Sequence, residues 1–191
     1  MNFLAHLYLS RHNEELMIGN FIADAVKGKN FEAYTSGVAQ GIIMHRQIDA
    51  YTDEHPITRQ SKARLMPRYK KYAGVIVDVF YDHFLAINWS RYHTESLPVF
   101  VDSVYKLMDK HKAQLPPESQ HMLPYMIQHN WLLNYSKIEG IQRSLSGMAS
   151  RTSFISNMQF ATEELELYYD DFNNEFELFF KDARQHFAGL F

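Results

Sequence analysis

The chain has 191 residues, 46% of them hydrophobic and 15% aromatic, which is enough for one domain with a full apolar core. It contains no cysteine, so disulfides and thiolate zinc sites are excluded, and a metal ion would need His, Asp, Glu or Asn ligands. The formal net charge of −3 does not favour nucleic-acid binding, which usually requires an excess of basic residues.

The amino-terminal segment 1–16 is apolar but lacks the basic leader and the small-residue cleavage site of a signal peptide. Charged residues and histidines interrupt every apolar stretch before it reaches the roughly 20 residues that span a bilayer. We therefore expect a cytoplasmic protein that does not enter a membrane.

Helix is the predicted element along most of the chain, because apolar residues recur three or four positions apart. The spacing is clearest in two segments: Leu16, Ile18, Phe21, Ile22 and Ala25, and then Val75, Val79, Phe80, Phe84 and Leu85. The β-branched run 75–79 could form a strand, but the charges after it would then lie on both faces, so a helix is favoured.

Turn residues predict where these helices end. The predicted breaks are Gly28–Asn30, His55–Pro56, Pro67, Pro98, Pro116–Pro117, Pro124 and Gly140. A long last helix is predicted to begin at Ser153. We see no internal repeat, so the sequence predicts a single compact multi-helix domain of the all-α class over residues 1–191.

Three pairs of polar residues lie four positions apart within apolar segments. They are Asn20 with Asp24, His45 with Asp49, and Asp78 with Asp82, the last followed by His83. Members of such a pair lie about 40° apart around a helix, so each pair shares one face. Buried carboxylates and imidazoles that converge from separate helices are readily neutralised by a divalent cation. This predicts a metal centre suited to manganese, magnesium, iron or zinc.

A simpler interpretation of these residues stays open. A histidine on an apolar helix is commonly a hydrogen-bonded core residue, and a pair of aspartates is commonly a solvated surface. His6, in the apolar segment NFLAHL, could be a ligand or a core residue, whereas histidines beside turns or charges, such as His12 and His93, are expected at the surface. Arg46, next to His45, could bind a phosphate oxygen through its planar guanidinium.

Five segments in fixed order resemble a known family: NFLAHL, GNFIAD, GIIMHRQID, DVFYDHFL and GMASR. Together they resemble the acyl carrier protein phosphodiesterases over residues 1–151. The resemblance implies an all-α fold similar to HD-domain phosphohydrolases. It also implies manganese-dependent hydrolysis of the phosphodiester between 4′-phosphopantetheine and a serine of acyl carrier protein. The chain departs from the HD pattern, because no His is followed directly by Asp; the nearest element is Asp82–His83 in reversed order.

The resemblance makes Asp24 the first choice for an essential residue associated with the metal. It leaves the other ligands among His6, His45, Asp49, Asp78, Asp82 and His83. In the implied mechanism Asp24 or Asp82 accepts a proton from water and Asn20 positions that water. Arg46 or Arg151 binds the phosphate.

An acidic carrier protein should meet a basic docking surface near the site. Segment 59–71 contains six basic residues and no acidic residue. The candidates for carrier binding are Arg64, Arg68, Lys70 and Lys71. An ordinary solvated helix face is the alternative interpretation.

Two other functions are compatible with the same residues. One is a helical phosphohydrolase that acts on nucleotides or another small phosphodiester and needs no protein-docking surface. The other is a helical binding module without catalytic activity, in which the inward His and Asp side chains neutralise one another.

Overall fold

The chain is mainly helical, because each segment with helical spacing of apolar residues forms a helix that buries one face. A computed structural model describes residues 1–190, and within that range there is no β-strand. The α-helices are α1 Phe3–Leu9, α2 Glu14–Ile22, α3 Ser36–Glu54, α4 Pro56–Tyr69, α5 Ala73–Ile87, α6 Leu97–Lys110, α7 Pro117–Gln128, α8 Trp131–Asn134, α9 Ile138–Ser150, α10 Thr162–Leu167 and α11 Tyr169–Phe187. Short 3-10 segments lie at Ala23–Ala25, Asn30–Ala33, Lys70–Tyr72, Trp89–Arg91, Lys112–Gln114 and Met158–Phe160.

Helix α5 forms the centre of the core. Its Phe80 and Phe84 side chains are fully buried and contact the aromatic face of α11. The Phe80 and Phe172 rings meet edge to face with centroids 5.2 Å apart, and the Phe84 and Phe176 rings stack at 6.1 Å. Each buried phenyl group stabilises the fold by about 1.5–3 kcal/mol. The all-α single domain that the sequence predicts is confirmed.

Side-chain caps set the starts of the two helices that carry most of the site. The Asn13 side chain accepts a hydrogen bond from Leu16 N at 3.1 Å, and α2 begins between them. The Thr35 hydroxyl accepts from Val38 N at 3.5 Å at the start of α3. Such caps satisfy backbone donors that have no partner within the first helical turn.

Two glycines let α2 and α3 cross in direct backbone contact. A Cβ on Gly19 would lie 2.2 Å from Val38 O, and a Cβ on Gly41 would lie 2.5 Å from Leu16 O. No other residue fits such an approach, since real Cβ atoms do not come this close to backbone. The crossing fixes the next turn of α3, which carries His45, against the carboxyl end of α2.

The prolines show where local rules hold and where packing overrides them. Pro56 begins α4 as predicted, because a first-turn proline loses no helical hydrogen bond. The predicted breaks at Pro67 and Pro124 are wrong, since both lie inside helices. Both prolines are exposed, so water can solvate the carbonyl that each leaves without a partner, while the opposite helix face stays packed.

Two further predicted boundaries are wrong. Gly140 lies within α9, where a Cβ would be 1.9 Å from Asn134 O, so the glycine serves a close approach and not a break. The last helix does not begin at Ser153, because residues 151–157 are irregular and α10 begins at Thr162. Among the described residues, no helix combines the length and the apolar character needed to cross a membrane.

Candidate metal centre

Side chains of α1 and α3 meet at one point beside the end of α2. Asp49 Oδ1 lies 3.1 Å from His6 Nε2, and Asp49 Oδ2 lies 3.1 Å from His45 Nε2. One potential ligand atom from each of the three residues lies within 4.8 Å of the others. The two imidazole rings stack with their centroids 3.9 Å apart. These three side chains, which we call the His–Asp cluster, are close enough to share one cation.

Asn20, buried on α2, orients both imidazoles. Its backbone carbonyl lies 2.9 Å from His45 Nδ1, and its side-chain Oδ1 lies 3.2 Å from His6 Nδ1. Its Nδ2 donates to Ser10 Oγ at 2.8 Å, which fixes the orientation of the amide. Both Asn20 oxygens accept, so each Nδ1 carries a proton and a neutral ring turns the lone pair of Nε2 toward the cluster. Metal-binding histidines are usually held in this way.

The atoms that meet at His6 Nε2 all carry lone pairs and therefore suit a cation. His6 Nε2 faces the Met1 carbonyl oxygen and Asp49 Oδ1, both at 3.1 Å, and both can only accept. Because Asn20 uses the Nδ1 proton, a neutral His6 leaves no hydrogen between these electron-rich atoms. Burial lowers the pKa of His6 and the charge of His45 lowers it further, which favours the neutral form. A divalent cation would satisfy all three atoms at once.

Charge within the cluster is coupled to proton binding. Burial lowers the pKa of His45, but hydrogen bonds with Asp24 and Asp49 outweigh burial and raise the pKa to about 9. Burial also disfavours the Asp49 carboxylate, yet the hydrogen bond from His45 and the nearby Met1 amino group bring its pKa well below the usual range. Without a cation, His45 is therefore charged at neutral pH and Asp49 is its counterion.

Asp24 places a carboxylate at the rim of the cluster. It lies on the 3-10 segment after α2, with Oδ1 3.3 Å from His45 Nε2 and 79% of its side chain exposed. The hydrogen bond with His45 lowers the pKa of Asp24, so the group is ionised at neutral pH. The following loop is held by the Arg46 guanidinium, which donates to Val26 O and Gly28 O at 2.7 Å each. Arg46 thus contacts backbone carbonyls and supports the loop behind Asp24.

The third predicted pair, on α5, contacts the start of α1. Asp82 Oδ2 accepts from Leu4 N at 2.7 Å and Oδ1 accepts from Ala5 N at 3.1 Å. Burial raises the pKa of Asp82 to about 7, although these two hydrogen bonds oppose the shift. Asp78 Oδ1 lies 3.0 Å from the Met1 amino group. Asp82 therefore caps α1 from a neighbouring helix and holds the segment that carries His6.

His83 is turned toward other partners. Its Nδ1 lies 2.7 Å from the Tyr135 carbonyl oxygen, and its Nε2 lies 2.9 Å from the Tyr169 hydroxyl. The structure thus brings together His6, His45 and Asp49 with Asp24 at their rim. It does not bring Asp82 or His83 to the same point.

The basic segment is partly neutralised by acidic residues from the carboxyl-terminal part. Arg64 makes two hydrogen bonds of 2.8 Å to the carboxylate of Glu175, which is buried on α11. Arg68 pairs with two glutamates of α10 at 2.6 and 2.7 Å. Lys70 and Lys71, on the following 3-10 segment, are exposed.

Two openings adjoin the cluster. The smaller, of about 320 Å³, is lined by the His–Asp cluster together with Asp78. The larger, of about 1110 Å³, lies between the start of α1 and helices α7, α8 and α9, and we call it the large cleft. Asp24 and Met148 line both openings, so the two are neighbours beside the cluster. Arg151 lines the large cleft.

Of the residues that line the large cleft, only Asp24 and Arg151 are candidates on sequence alone. The signal was the spacing of Ser144, Met148 and Arg151, which places them on one face of α9. Without the neighbouring helices, that face cannot be distinguished from an ordinary packed or solvated one.

A second group of possible ligands is formed by the loop after α1 and the segment before α6. It consists of His12, His93 and Glu95, with the two Nε2 atoms 2.8 Å apart. His12 is exposed, as predicted, whereas His93 is half-buried and stacks on Trp89, which corrects its predicted place at the surface.

Fold and site together define an all-helical protein with a candidate His–Asp metal centre at the end of a large cleft. The family model for acyl carrier protein phosphodiesterase matches residues 1–183. This chain therefore belongs to the acyl carrier protein phosphodiesterase family.

Several curated bacterial proteins named acyl carrier protein phosphodiesterase are similar to it over nearly the full length. The Photorhabdus laumondii protein is 34% identical over 94% of this chain and 91% of its own. The Enterobacter sp. protein is 34% identical over 94% of both chains, and the Serratia proteamaculans protein is 32% identical over 97% and 96%. No solved structure gives a significant match.

Proposed function

We propose that this protein hydrolyses the phosphodiester that joins 4′-phosphopantetheine to a serine of holo acyl carrier protein. Water adds to phosphorus, the bond from phosphorus to the serine oxygen breaks, and that oxygen takes up a proton. The products are apo carrier protein and 4′-phosphopantetheine. Family membership supports the substrate. The observation that carries the chemistry is the convergence of His6, His45 and Asp49 next to a cleft.

The His–Asp cluster would hold one divalent cation, with Asp24 and Asp78 as the nearest further carboxylates. A set of nitrogen and oxygen ligands without sulfur suits manganese, our first choice, and also magnesium, iron or zinc. When bound, such a cation lowers the pKa of a coordinated water and neutralises charge on the phosphate. The predicted similarity to HD-domain phosphohydrolases and the cytoplasmic location stay parts of this proposal.

The chain's own residues complete the reaction. The ionised Asp24 carboxylate faces both openings and accepts the proton of the attacking water. Arg151, at the end of α9, binds the phosphate oxygens through its guanidinium. Asn20 keeps both imidazoles in the orientation that ligands need. Water positioning by Asn20, phosphate binding by Arg46 and metal contacts of Asp82 and His83 stay predictions.

The test is incubation of the purified protein with holo carrier protein and Mn²⁺, followed by intact-mass measurement of the carrier. We expect loss of the prosthetic group with wild type and with the control Asp102→Asn, an exposed aspartate on α6. We expect no loss with Asp49→Asn, because the amide removes the charge that links the two imidazoles. An unmodified carrier after incubation with wild type would disprove the proposal. Cleavage of small diesters or nucleotides alone would favour the alternative phosphohydrolase.

A further inference from the structure

We infer that the large cleft binds the phosphopantetheine arm of the carrier protein, with the Ser144–Arg151 face of α9 as one wall. This assignment rests on the proposed function and adds to it the place where the arm lies. In this arrangement the phosphate of the arm lies at the His–Asp cluster, and the pantetheine part extends along helices α7 to α9.

The residues shared by the two openings support this occupant. Asp24 and Met148 line both the smaller opening and the large cleft. A ligand whose phosphate reaches the cluster past Asp24 therefore has the large cleft directly beside it. The cleft volume of about 1110 Å³ is slightly larger than the roughly 300–1,000 Å³ of pockets that enclose drug-sized ligands, so the cleft has room for the arm.

The lining chemistry also matches an arm that is anionic at one end and mixed polar and apolar along its length. Arg151 lies one helical turn beyond Met148 and supplies a cation beside the junction of the openings. The arginines that form ion pairs within the described residues are Arg64, Arg68 and Arg91. Arg151 is not among them, so its charge remains available to an anion.

The rest of the lining combines aromatic, thioether and small polar side chains with the titratable residues Glu118, His121, His129 and Arg143. Trp131, Tyr125 and Met122 offer apolar contacts, and Ser144 and Asn134 offer partners for amide groups. An arm built from methyl groups, amides and a thiol needs both kinds of contact.

Gly147 provides a precise way to fill the cleft. It is exposed, it lines the cleft, and a Cβ built on it meets no atom within 4 Å. Its neighbours at helical spacing, Ser144 and Arg151, line the same wall, so a larger side chain at 147 extends into the cleft. Leucine is also a better helix former than glycine, which favours folding of Gly147→Leu.

The experiment compares wild type, Gly147→Leu and the matched control Gly189→Leu by calorimetric titration with 4′-phosphopantetheine and by kinetics on holo carrier protein. Gly189 lies after α11 and outside the cleft, and its Cβ also meets no atom within 4 Å. We expect Gly147→Leu to weaken binding of 4′-phosphopantetheine by about tenfold or more and to raise KM similarly, because the added side chain occupies the space of the ligand. The control should match wild type.

Ser144→Phe fills the same wall from the preceding turn and replaces Gly147→Leu if that variant does not fold. Wild-type affinity and kinetics in a folded cleft-filling variant, with wild type cleaving the carrier, would overturn the cleft assignment and leave the proposed function intact. If wild type does not cleave the carrier, the proposed function fails. Titration with 4′-phosphopantetheine then still tests the cleft, and its failure to bind wild type would overturn the assignment.

Discussion

His45 is buried, yet its imidazole is charged at neutral pH when no cation is present, with a proton on both ring nitrogens. Two carboxylates, Asp24 and Asp49, hold that proton by hydrogen bonds to Nε2, which is the same atom that would bind a cation. The Nδ1 atom cannot substitute, because it faces the Asn20 carbonyl. A cation and a proton therefore compete for one lone pair.

This competition gives a pH dependence with a defined sign. The pKa of His45 is raised to about 9, so below that value the cation must displace a proton. We expect Mn²⁺ affinity to rise by about tenfold for each pH unit between pH 6.5 and 8.5. Calorimetric titration measures it, in a His12→Ala background that disables the surface group of His12, His93 and Glu95. An affinity that does not change with pH would show that His45 does not bind the ion.

Asp24 combines high exposure with a central position, so its removal should separate activity from stability. We expect Asp24→Ala to lose carrier hydrolysis, because no other carboxylate faces both openings in the same way. The free energy of unfolding should change by no more than about 0.5 kcal/mol, as for other surface positions. Urea unfolding and intact-mass kinetics measure the two effects. Glu32→Ala, another exposed acidic position nearby, serves as the control, and near-normal turnover of Asp24→Ala would remove Asp24 from the mechanism.

At the scale of helices, the site depends on contacts between elements that are far apart in the chain. α2 supplies Asn20, α3 supplies His45 and Asp49, and the glycine crossing fixes the two helices in register. α5 contributes through Asp82, which holds the first turn of α1 and with it His6. A shift in one of these contacts would separate the ligands without removing any of them.

The glycine crossing gives a prediction at this scale. In Gly41→Ala the new Cβ would meet Leu16 O at 2.5 Å, and backbone atoms cannot move aside as a flexible side chain can. We expect a loss of about 1–3 kcal/mol in the free energy of unfolding and weaker Mn²⁺ binding, since His45 lies one turn further along α3. Urea unfolding and calorimetry measure these effects.

Gly147→Ala is the matched control for that change. Gly147 also lies inside a helix, but its Cβ meets no atom within 4 Å, so alanine should stabilise the protein by about 0.5–1 kcal/mol. Equal stability changes in Gly41→Ala and Gly147→Ala would show that the crossing tolerates a side chain.

At the scale of the whole molecule, the basic segment 59–71 is divided between two roles. The Arg64 and Arg68 side chains join α4 to α11 and α10 through ion pairs, and Arg64 neutralises the buried Glu175. Charge reversal at either arginine would break these contacts and so affect folding as well as docking. For Arg64, whose partner Glu175 is buried, the loss is expected to be large, about 3–5 kcal/mol for a fully buried pair. Lys70 and Lys71 allow a cleaner test.

We expect the double variant Lys70→Glu and Lys71→Glu to raise KM for the carrier protein and to leave kcat unchanged. The physical reason is that exposed charges on a docking surface mainly steer an oppositely charged partner. The effect of added salt on KM should also become weaker. Lys106→Glu, at an exposed position on α6, is the control. Kinetics identical to wild type at low salt would refute docking at this segment.

The structure brings together His6, His45, Asp49 and Asp24, four of the residues that the sequence assigns to one site. The sequence groups them because polar residues within apolar helical segments tend to face the interior or a cleft. It grouped Asp82 and His83 with them for the same reason. Spacing within one helix shows which residues share a face, but it does not show which neighbouring helix that face contacts. The neighbour of Asp82 is the first turn of α1, whose backbone donors use both of its oxygens.

By itself, the sequence determined the all-α class, the absence of thiolate chemistry and most of the His–Asp cluster, since periodicity and residue chemistry are local properties. Only the tertiary structure decided that Arg64 and Arg68 are neutralised, that Asp82 caps α1 and that α7 to α9 form a cleft beside Asp24. Each of these depends on contacts between segments distant in the chain. Such contacts are set by how whole helices pack, which no short stretch of sequence specifies.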